Sequence, residues 1–372
     1  MEQQTPENPV PKNPFVNRNP ITTPEMLHMF YGRKRELQQL YQDFVIRQSA
    51  SVIGPHEIGK TSFLWCACQR AIQKRFNVDL CNHLFVHLDL RESLYQKADD
   101  FLRRASEAVF RQGKLRGVDL NPEGSGSERF LSVVDQVYNE GLKLVLLLDA
   151  FEAIARNPQI GPEFLSFLRS QSSNGKVTYV TATVEPLYEL SHKGIKDSPF
   201  FNIFNEIKLA ELTREEAEQL IREPAERESF PFTDEEVEWI VKNAGLHPCF
   251  IMRSCEVLFG EKLLSTRHKV SEQHFKARAY KALLPHFQDS WDRLSENERA
   301  VIRDEAQQKK NLGQLTQQID VEQEDENSSR QLPELTESAF FRQFVRDINK
   351  IGLFKMTVEE LEEALEKMHD LA

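Results

Sequence analysis

Short apolar runs alternate with stretches of helical periodicity over the first 210 residues or so of this 372-residue chain. The runs predict strands at residues 49–54, 83–90, 142–149, 176–183 and, more weakly, 205–209. The two runs that begin near residues 144 and 176 are apolar on both faces, as strands buried in a parallel sheet must be. Strands that alternate with amphipathic helices predict an α/β domain with right-handed crossover connections.

The pattern changes to helices alone after about residue 211. Thr213 and Thr233 each precede a run of acidic residues in the arrangement of a capping box, which predicts two helix starts. At the other end of the chain, six prolines within residues 1–24 predict an extended tail. We therefore divide the chain into segments at residues 1–24, 25–210, 211–282, 283–355 and 356–372, of which the last predicts an acidic helix.

The strongest chemical signal follows the first predicted strand. The segment Gly54-Pro-His-Glu-Ile-Gly59-Lys60-Thr61 matches G-x-x-x-x-G-K-[ST] at every fixed position, and a predicted helix begins directly after it. Backbone N–H groups of such a loop, together with a helix N-terminus, attract phosphate. We expect Lys60 to reach the β and γ phosphates and the Thr61 hydroxyl to bind Mg²⁺. The predicted nucleotide contacts are Gly54, Pro55, His56, Glu57, Ile58, Gly59, Lys60, Thr61 and Ser62. The predicted cofactors are ATP or ADP with Mg²⁺.

Three polar residues near the ends of later predicted strands could complete this site. Asp149 follows five apolar residues, and an unpaired buried charge is costly, so Mg²⁺ is a natural partner; a helix N-cap is the alternative. Glu152 could orient the attacking water as a catalytic residue, or be a solvated helix residue. Thr183 could sense the γ phosphate, or be an ordinary strand threonine. Asp89 also ends a predicted strand, and there we favour a cap.

Composition and charge narrow the class of protein. Lys and Arg number 47 against 58 Asp and Glu, and the resulting net charge of −11 disfavours nucleic acid as a partner without excluding it. Five cysteines without zinc-ligand spacing predict reduced thiols in a cytoplasmic protein. No apolar run approaches the roughly 20 residues of a membrane span, and the N-terminus lacks the features of a secretory signal. We therefore expect no membrane partner.

Several motifs together resemble one superfamily. They are Asn13-Pro-Phe, Phe30-Tyr-Gly32-Arg33 with Glu36, the phosphate loop, Asp149-Ala-Phe-Glu152, Thr181-Ala-Thr183 and Gly245-Leu-His-Pro248. Their order and spacing resemble the bacterial AAA-like, STAND-type P-loop NTPases, related to NACHT and NB-ARC ATPases, over about residues 13–260. The resemblance implies an α/β fold with an ASCE-type parallel sheet at residues 25–210, a helical lid at 211–282 and a winged-helix-like domain at 283–355.

The same resemblance implies roles for three further residues. Gly32 and Arg33 match the segment that packs near the adenine, and Pro248 matches the proline of the lid that closes over the nucleotide. From the residues alone, Arg33 could instead form a surface salt bridge, and Pro248 could simply break a helix.

This chain departs from the pattern of the superfamily in three places. His56-Glu57 stands where many relatives have basic residues in the loop, and Val184 stands where they often have a basic residue after the sensor strand. Ala150 replaces the second acid that AAA+ ATPases have directly after the metal-binding Asp. A small residue there, with Glu152 further on, is closer to the NACHT-type arrangement. With these departures we still expect nucleotide binding, but they argue against fast hydrolysis.

The resemblance implies an ATP-dependent molecular switch in signalling or defence. ATP would change the conformation or drive homo-oligomerisation, and a protein effector or sensor would be the partner. Hydrolysis, if it occurs, would be slow. One alternative is a nucleotide-binding scaffold without turnover. Another is a DNA-associated ATPase of the replication-initiator type, for which Arg299, Arg303, Lys309 and Lys310 would supply the cations.

Overall fold

The computed structural model of the chain describes residues 11–17, 19–91, 97–265, 269–303 and 338–351. The chain divides into two compact units. Pro20–Ala210 form the first, and Met1–Asn19 together with Glu211–Ala372 form the second. The N-terminal segment therefore belongs to the same unit as the C-terminal part of the chain. Among the described residues, no helix combines the length and apolarity that a membrane span requires.

The first unit is built on a five-stranded sheet. Its strands are β1 (Ser49–Ile53), β2 (His83–Asp89), β3 (Lys143–Asp149), β4 (Val177–Thr183) and β5 (Phe204–Lys208). They pair in the order β2-β3-β4-β1-β5, and every pairing is parallel. The predicted α/β class and parallel sheet are confirmed. Because β4 lies between β1 and β3, the carboxyl ends of these three strands stand side by side.

Helices cover both faces of this sheet. They are α1 (Lys34–Ile46), α2 (Lys60–Ala67), α3 (Arg70–Arg75), α4 (Ala98–Leu115), α5 (Gly126–Asn139), α6 (Glu152–Ala155), α7 (Pro162–Ser173) and α8 (Leu187–Leu190), with 3-10 turns at Pro24–Met29 and Pro199–Ile203. Along β3, Leu144, Leu146 and Leu148 join one hydrophobic cluster, whereas Val145 and Leu147 join the other. The sheet is therefore buried on both sides, as its apolar strands predict.

The second unit is helical in all its described elements. These are α9 (Arg214–Arg227), α10 (Asp234–Ala244), α11 (Pro248–Leu264), α12 (Glu272–Arg293), a helical stretch at residues 296–303, and α13 (Ala339–Ile351). Thr213 and Thr233 both form the capping boxes that their sequences predict. The predicted boundary at residue 282 falls within α12. Residues 304–337 and 352–372 lie outside the described residues. They include the acidic run and the segment predicted as a C-terminal helix, so that helix and the winged-helix-like domain stay predictions.

Part of the N-terminal segment packs into this helical unit. The ring of Phe15 is only 1% exposed and lies 5.9 Å from the ring of Phe232 and 6.1 Å from that of Phe259. The Asn13 side-chain amide donates to the carbonyl of Glu256 over 2.8 Å, and its own oxygen accepts from the Phe15 N–H. Residues 13 to 15 are thus held by both apolar and polar contacts.

Candidate nucleotide-binding site

The loop after β1 depends on its two glycines. The N–H of Gly54 donates to the carbonyl of Thr183 over 3.1 Å, so the loop starts at the carboxyl end of β4. A Cβ on Gly54 would lie 2.6 Å from the carbonyl oxygen of Leu209, which leaves no room for a side chain. Gly59 has a φ of 97°, a left-handed conformation that glycine adopts without strain, and α2 begins at the next residue. The sequence motif therefore forms a tight backbone loop at a helix N-terminus.

The two predicted magnesium ligands meet in this structure. The Thr61 hydroxyl donates to Oδ2 of Asp149 over 2.6 Å, and Oδ1 of Asp149 accepts from the N–H of Ala150. Nζ of Lys60 donates to the carbonyls of Gly54 and Pro55 over 2.7 and 2.8 Å. Asp149 is 4% exposed, and a buried carboxylate needs such partners. The loop and the end of β3 thus present a lysine, a hydroxyl and a carboxylate in one place.

A tight turn directly after Asp149 leads to Glu152. Ala150 adopts a left-handed conformation with a φ of 55°, and the N–H of Phe151 donates to the carbonyl of Ala182 on β4. Burial raises the pKa of Glu152, the positive charge of Lys60 opposes this shift, and the negative charge of Asp149 reinforces it. Oε2 of Glu152 is buried and has no hydrogen-bond partner among the described residues. Glu152 is therefore a half-buried acid within electrostatic reach of the loop.

Thr183 lies at the same edge of the sheet. It ends β4, between β1 and β3, and is fully buried. Its hydroxyl donates to the carbonyl of Glu185 over 2.8 Å. Its backbone carbonyl holds the start of the phosphate loop at Gly54. The γ-phosphate-sensing role of the hydroxyl stays a prediction.

The side chain of Arg33 supports the phosphate loop. Gly32 and Arg33 both have a positive φ, at 70° and 62°, and the Arg33 side chain is buried. Its guanidinium donates to the carbonyl of Ile58 inside the loop and to that of Ala210 beyond β5. Glu36 lies 3.5 Å away, but a residue that is 4% exposed does not form a surface salt bridge. The predicted proximity of Gly32 and Arg33 to adenine stays a prediction.

The other predicted contacts divide between the two units. Pro55, His56, Glu57 and Ile58 form the loop between its glycines. The Ser62 hydroxyl accepts from the N–H of Ile21 over 2.9 Å, so it anchors the chain that precedes α1. Pro248 is the first residue of α11 in the helical unit, and its role toward a nucleotide stays a prediction.

Two residues of β2 adjoin the site, and sequence reasoning missed one of them. Nε2 of His87 lies 3.8 Å from Oδ2 of Asp149. Burial lowers the pKa of His87, and the charge of Asp149 opposes this shift. Asp89 is held by Arg91, whose N–H and guanidinium both donate to it, which agrees with the capping role predicted for Asp89. The sequence does contain a signal for His87. It precedes Asp89 by two residues, and side chains two positions apart on a strand lie on the same face of the sheet.

These residues fit ATP with Mg²⁺. The loop has no space for a side chain at Gly54, the ammonium of Lys60 lies against the loop, and Thr61 and Asp149 offer the hard oxygen ligands that Mg²⁺ prefers. Together with the parallel sheet, this arrangement defines a P-loop NTPase.

Comparison with known families narrows that class. The family model described as Novel STAND NTPase 2 matches residues 44–309, and the chain belongs to this family. The predicted STAND-type resemblance is therefore confirmed. No curated protein sequence matches the chain closely enough to count as a relative.

Solved structures share the fold at low sequence identity. The Walker-type ATPase PABY2304 of Pyrococcus abyssi is 16% identical, with a TM-score of 0.59 over 95% of this chain and 93% of its own. The ORC2 protein of Aeropyrum pernix, solved in ADPNP–ADP complexes, is 15% identical, with a TM-score of 0.55 over 96% and 89%. The ORC1 protein of the same organism, solved with DNA, is 13% identical, with a TM-score of 0.48 over 94% and 86%. The first two likenesses support the ATPase fold of this chain.

Proposed function

We propose that the protein is an ATP-dependent molecular switch of a signalling or defence system, with slow hydrolysis. The observation that carries the proposal is the meeting of Lys60, Thr61 and Asp149 at one loop. A switch requires two states that bind the nucleotide differently. We propose that ATP favours a homo-oligomer and that a protein effector or sensor responds to it in the cytoplasm. Membership of the STAND family supports this proposal.

The residues of the loop have distinct tasks in this mechanism. The backbone N–H groups between Gly54 and Gly59 bind phosphate oxygens, and Lys60 adds a positive charge that the loop carbonyls already hold in place. Thr61 and Asp149 would hold Mg²⁺, which neutralises phosphate charge when bound. Arg33 keeps the loop in position through the carbonyl of Ile58.

The nucleotide released by denaturing the purified protein tests the proposed cofactor. We expect ADP or ATP in near-stoichiometric amount. We expect a Lys60→Ala variant to lose it, because the positive charge at the loop is gone. Lys34→Ala, which removes an exposed lysine of α1, is the matched control and should retain it. A wild-type protein that is empty and also fails to take up added ATP·Mg²⁺ would contradict the proposal.

Glu152 is the residue that we propose as the general base. We expect Glu152→Gln to slow hydrolysis roughly 100-fold or more while ATP still binds, since general-base catalysis contributes about that factor. Burial raises the pKa of Glu152 above its ordinary 4.5, and only the ionised form accepts a proton. The wild-type rate should therefore rise with pH through a midpoint above 4.5, and the variant should lack this rise.

The matched control for this prediction is Glu163→Gln, which changes an exposed glutamate of α7. Turnover is measured as phosphate release across a pH series. A Glu152→Gln variant that hydrolyses ATP at the wild-type rate would remove Glu152 from the mechanism. Tight binding with no turnover in the wild type, and no change of oligomer size with ATP, would favour the scaffold alternative.

A DNA-associated ATPase is the second candidate function. The likeness to the ORC2 fold favours it and weakens the expectation, drawn from net charge, that nucleic acid is not a partner. Arg299 and Arg303, two of the predicted cations, lie over the ring of Trp291 at 5.8 and 5.3 Å in their own unit. Lys309 and Lys310 lie outside the described residues. Binding to duplex DNA that weakens steeply with added salt would support this candidate. Its absence at low salt would remove it.

A further inference from the structure

The chain passes from one compact unit to the other at two places. One lies between Asn19 and Pro20, and the other between Ala210 and Glu211. We call them the N-terminal junction and the C-terminal junction. Chain segments that connect two units are where hinge motions are absorbed. The contacts of the two junctions therefore bear on how a nucleotide in the first unit could act on the second.

The N-terminal junction is bonded to the helix that follows the phosphate loop. Ile21, the second residue after this junction, donates its N–H to the Ser62 hydroxyl oxygen over 2.9 Å. Ser62 directly follows Thr61, whose hydroxyl donates to Asp149, and both belong to the first turn of α2. Any movement of Thr61 when a nucleotide binds therefore also moves Ser62, and through this hydrogen bond it acts on the chain beside the junction.

The C-terminal junction is bonded to the interior of the phosphate loop. The Arg33 guanidinium donates through Nη1 to the carbonyl of Ala210 over 2.6 Å, and through Nη2 to the carbonyl of Ile58 over 3.1 Å. Ala210 is the last residue before this junction, and Ile58 lies between the two glycines of the loop. A guanidinium holds its donors in a rigid plane, so the buried Arg33 fixes the two carbonyls relative to each other.

The helical unit holds the chain close to both junctions. On the C-terminal side, the N–H of Leu212 donates to the carbonyl of Leu246 over 3.1 Å. On the N-terminal side, the N–H of Phe15 donates to the side chain of Asn13, whose amide donates in turn to the carbonyl of Glu256. A change at either junction therefore reaches an anchored stretch of the helical unit within a few residues.

We propose that the phosphate loop controls the helical unit through these two junctions, and that Ser62 and Arg33 are the positioning residues that carry its state to them. In the ATP·Mg²⁺ state the loop and the first turn of α2 are held in place. The bonds from Ser62 to Ile21 and from Arg33 to Ala210 then hold the two junctions. Coupling of this kind is reciprocal, so a partner that fixes the junctions in the same way raises the affinity for ATP. This inference rests on the proposed function, because it takes ATP at the loop as the signal.

Hydrogen exchange at the amides of Phe15 and Leu212, with and without saturating ATP·Mg²⁺, tests the two links. In the wild type we expect ATP to slow exchange at both amides roughly two- to tenfold, the range that corresponds to the net free energy of one hydrogen bond. Ser62→Ala should lose this effect at Phe15 and keep it at Leu212. Arg33→Met, which fills the space without donating, should keep it at Phe15 and lose it at Leu212. Each variant is the matched control for the other, and saturating ATP removes any difference in affinity.

Second variants test the same two links by other changes. Ile21→Pro removes the donor of the hydrogen bond to Ser62 and should reproduce Ser62→Ala, whereas Ile21→Ala keeps the N–H and should keep the response to ATP. Arg33→Lys keeps a cation but lacks the planar fork that bridges two carbonyls, so it should reproduce Arg33→Met.

The outcomes separate this inference from the switch itself. A wild type that binds ATP without a change at either amide would overturn both. A wild type that responds, with variants that still respond at both amides, would overturn the inference and leave the switch in place. Loss of the response at both amides in either variant would mean that the residue acts through ATP binding, and it would overturn the assignment of one link to each junction.

Discussion

A Gly54→Ala variant is expected to bind ATP roughly 10- to 100-fold more weakly than the wild type. Its new Cβ would lie 2.6 Å from the carbonyl oxygen of Leu209, closer than any real Cβ contact. Relief requires the loop to move away from that backbone, and such overpacking costs about 1–3 kcal/mol. Phosphate binding requires the loop in its original position, so the cost of overpacking makes the free energy of ATP binding less favourable. A change of about 1.4 kcal/mol in that free energy corresponds to a tenfold change in Kd.

The matched control for this prediction is Gly260→Ala. Gly260 is inside α11, and the nearest atom to its new Cβ would be 3.8 Å away, an ordinary contact. Alanine is the better helix former by about 1 kcal/mol, so we expect unchanged or higher stability and unchanged ATP affinity. Both affinities are measured by titration with ATP·Mg²⁺. Wild-type affinity in Gly54→Ala would mean that the loop does not need the close approach to Leu209.

The sequence predicts most of the sheet because its signals are local. Buried parallel strands are apolar on both faces, and β3, with five consecutive apolar residues from Leu144 to Leu148, shows this most clearly. The contact between Thr61 and Asp149 could also be predicted from local sequence. A carboxylate that ends a buried strand needs a polar partner at the sheet edge, and the Thr61 hydroxyl is that partner.

The contacts that sequence reasoning missed are long-range. The Arg33 guanidinium meets carbonyls that are 25 and 177 positions away in the chain, and nothing near Arg33 specifies them. His87 reaches Asp149 only because β2 and β3 are neighbours in register. The single helix predicted directly after the phosphate loop is two helices, α2 and α3, and the break at Cys68 and Gln69 lacks the glycine or proline that would have signalled it.

The left-handed turn at Ala150 explains one departure from the superfamily pattern. Its φ of 55° is uncommon for a residue other than glycine, asparagine or aspartate. The turn places the next acid, Glu152, at the start of α6 rather than directly beside Asp149. In that position Glu152 is half-buried, and burial raises its pKa above the ordinary 4.5.

Phe15→Ala is expected to destabilise the helical unit by about 3–5 kcal/mol, the usual cost of removing a buried phenylalanine ring. The ring is 1% exposed and contacts Phe232 and Phe259, so its loss leaves a cavity between α11 and the chain before α10. The matched control is Val16→Ala, which shortens the neighbouring side chain at 54% exposure and should cost little.

Urea unfolding followed by tryptophan fluorescence measures this effect, since Trp239 and Trp291 both belong to the helical unit. Because a two-unit chain need not unfold in one step, hydrogen exchange at the amides of α11 gives the local stability directly. Phe15→Leu should restore part of the loss, since it refills part of the cavity. Wild-type protection of α11 in Phe15→Ala would mean that the N-terminal segment adds nothing to the unit. Faster exchange of the α11 amides in Phe15→Ala, but not in Val16→Ala, would show that the N-terminal segment stabilises the helical unit. The proline-rich segment that the sequence predicts as an extended tail would then be a structural part of that unit.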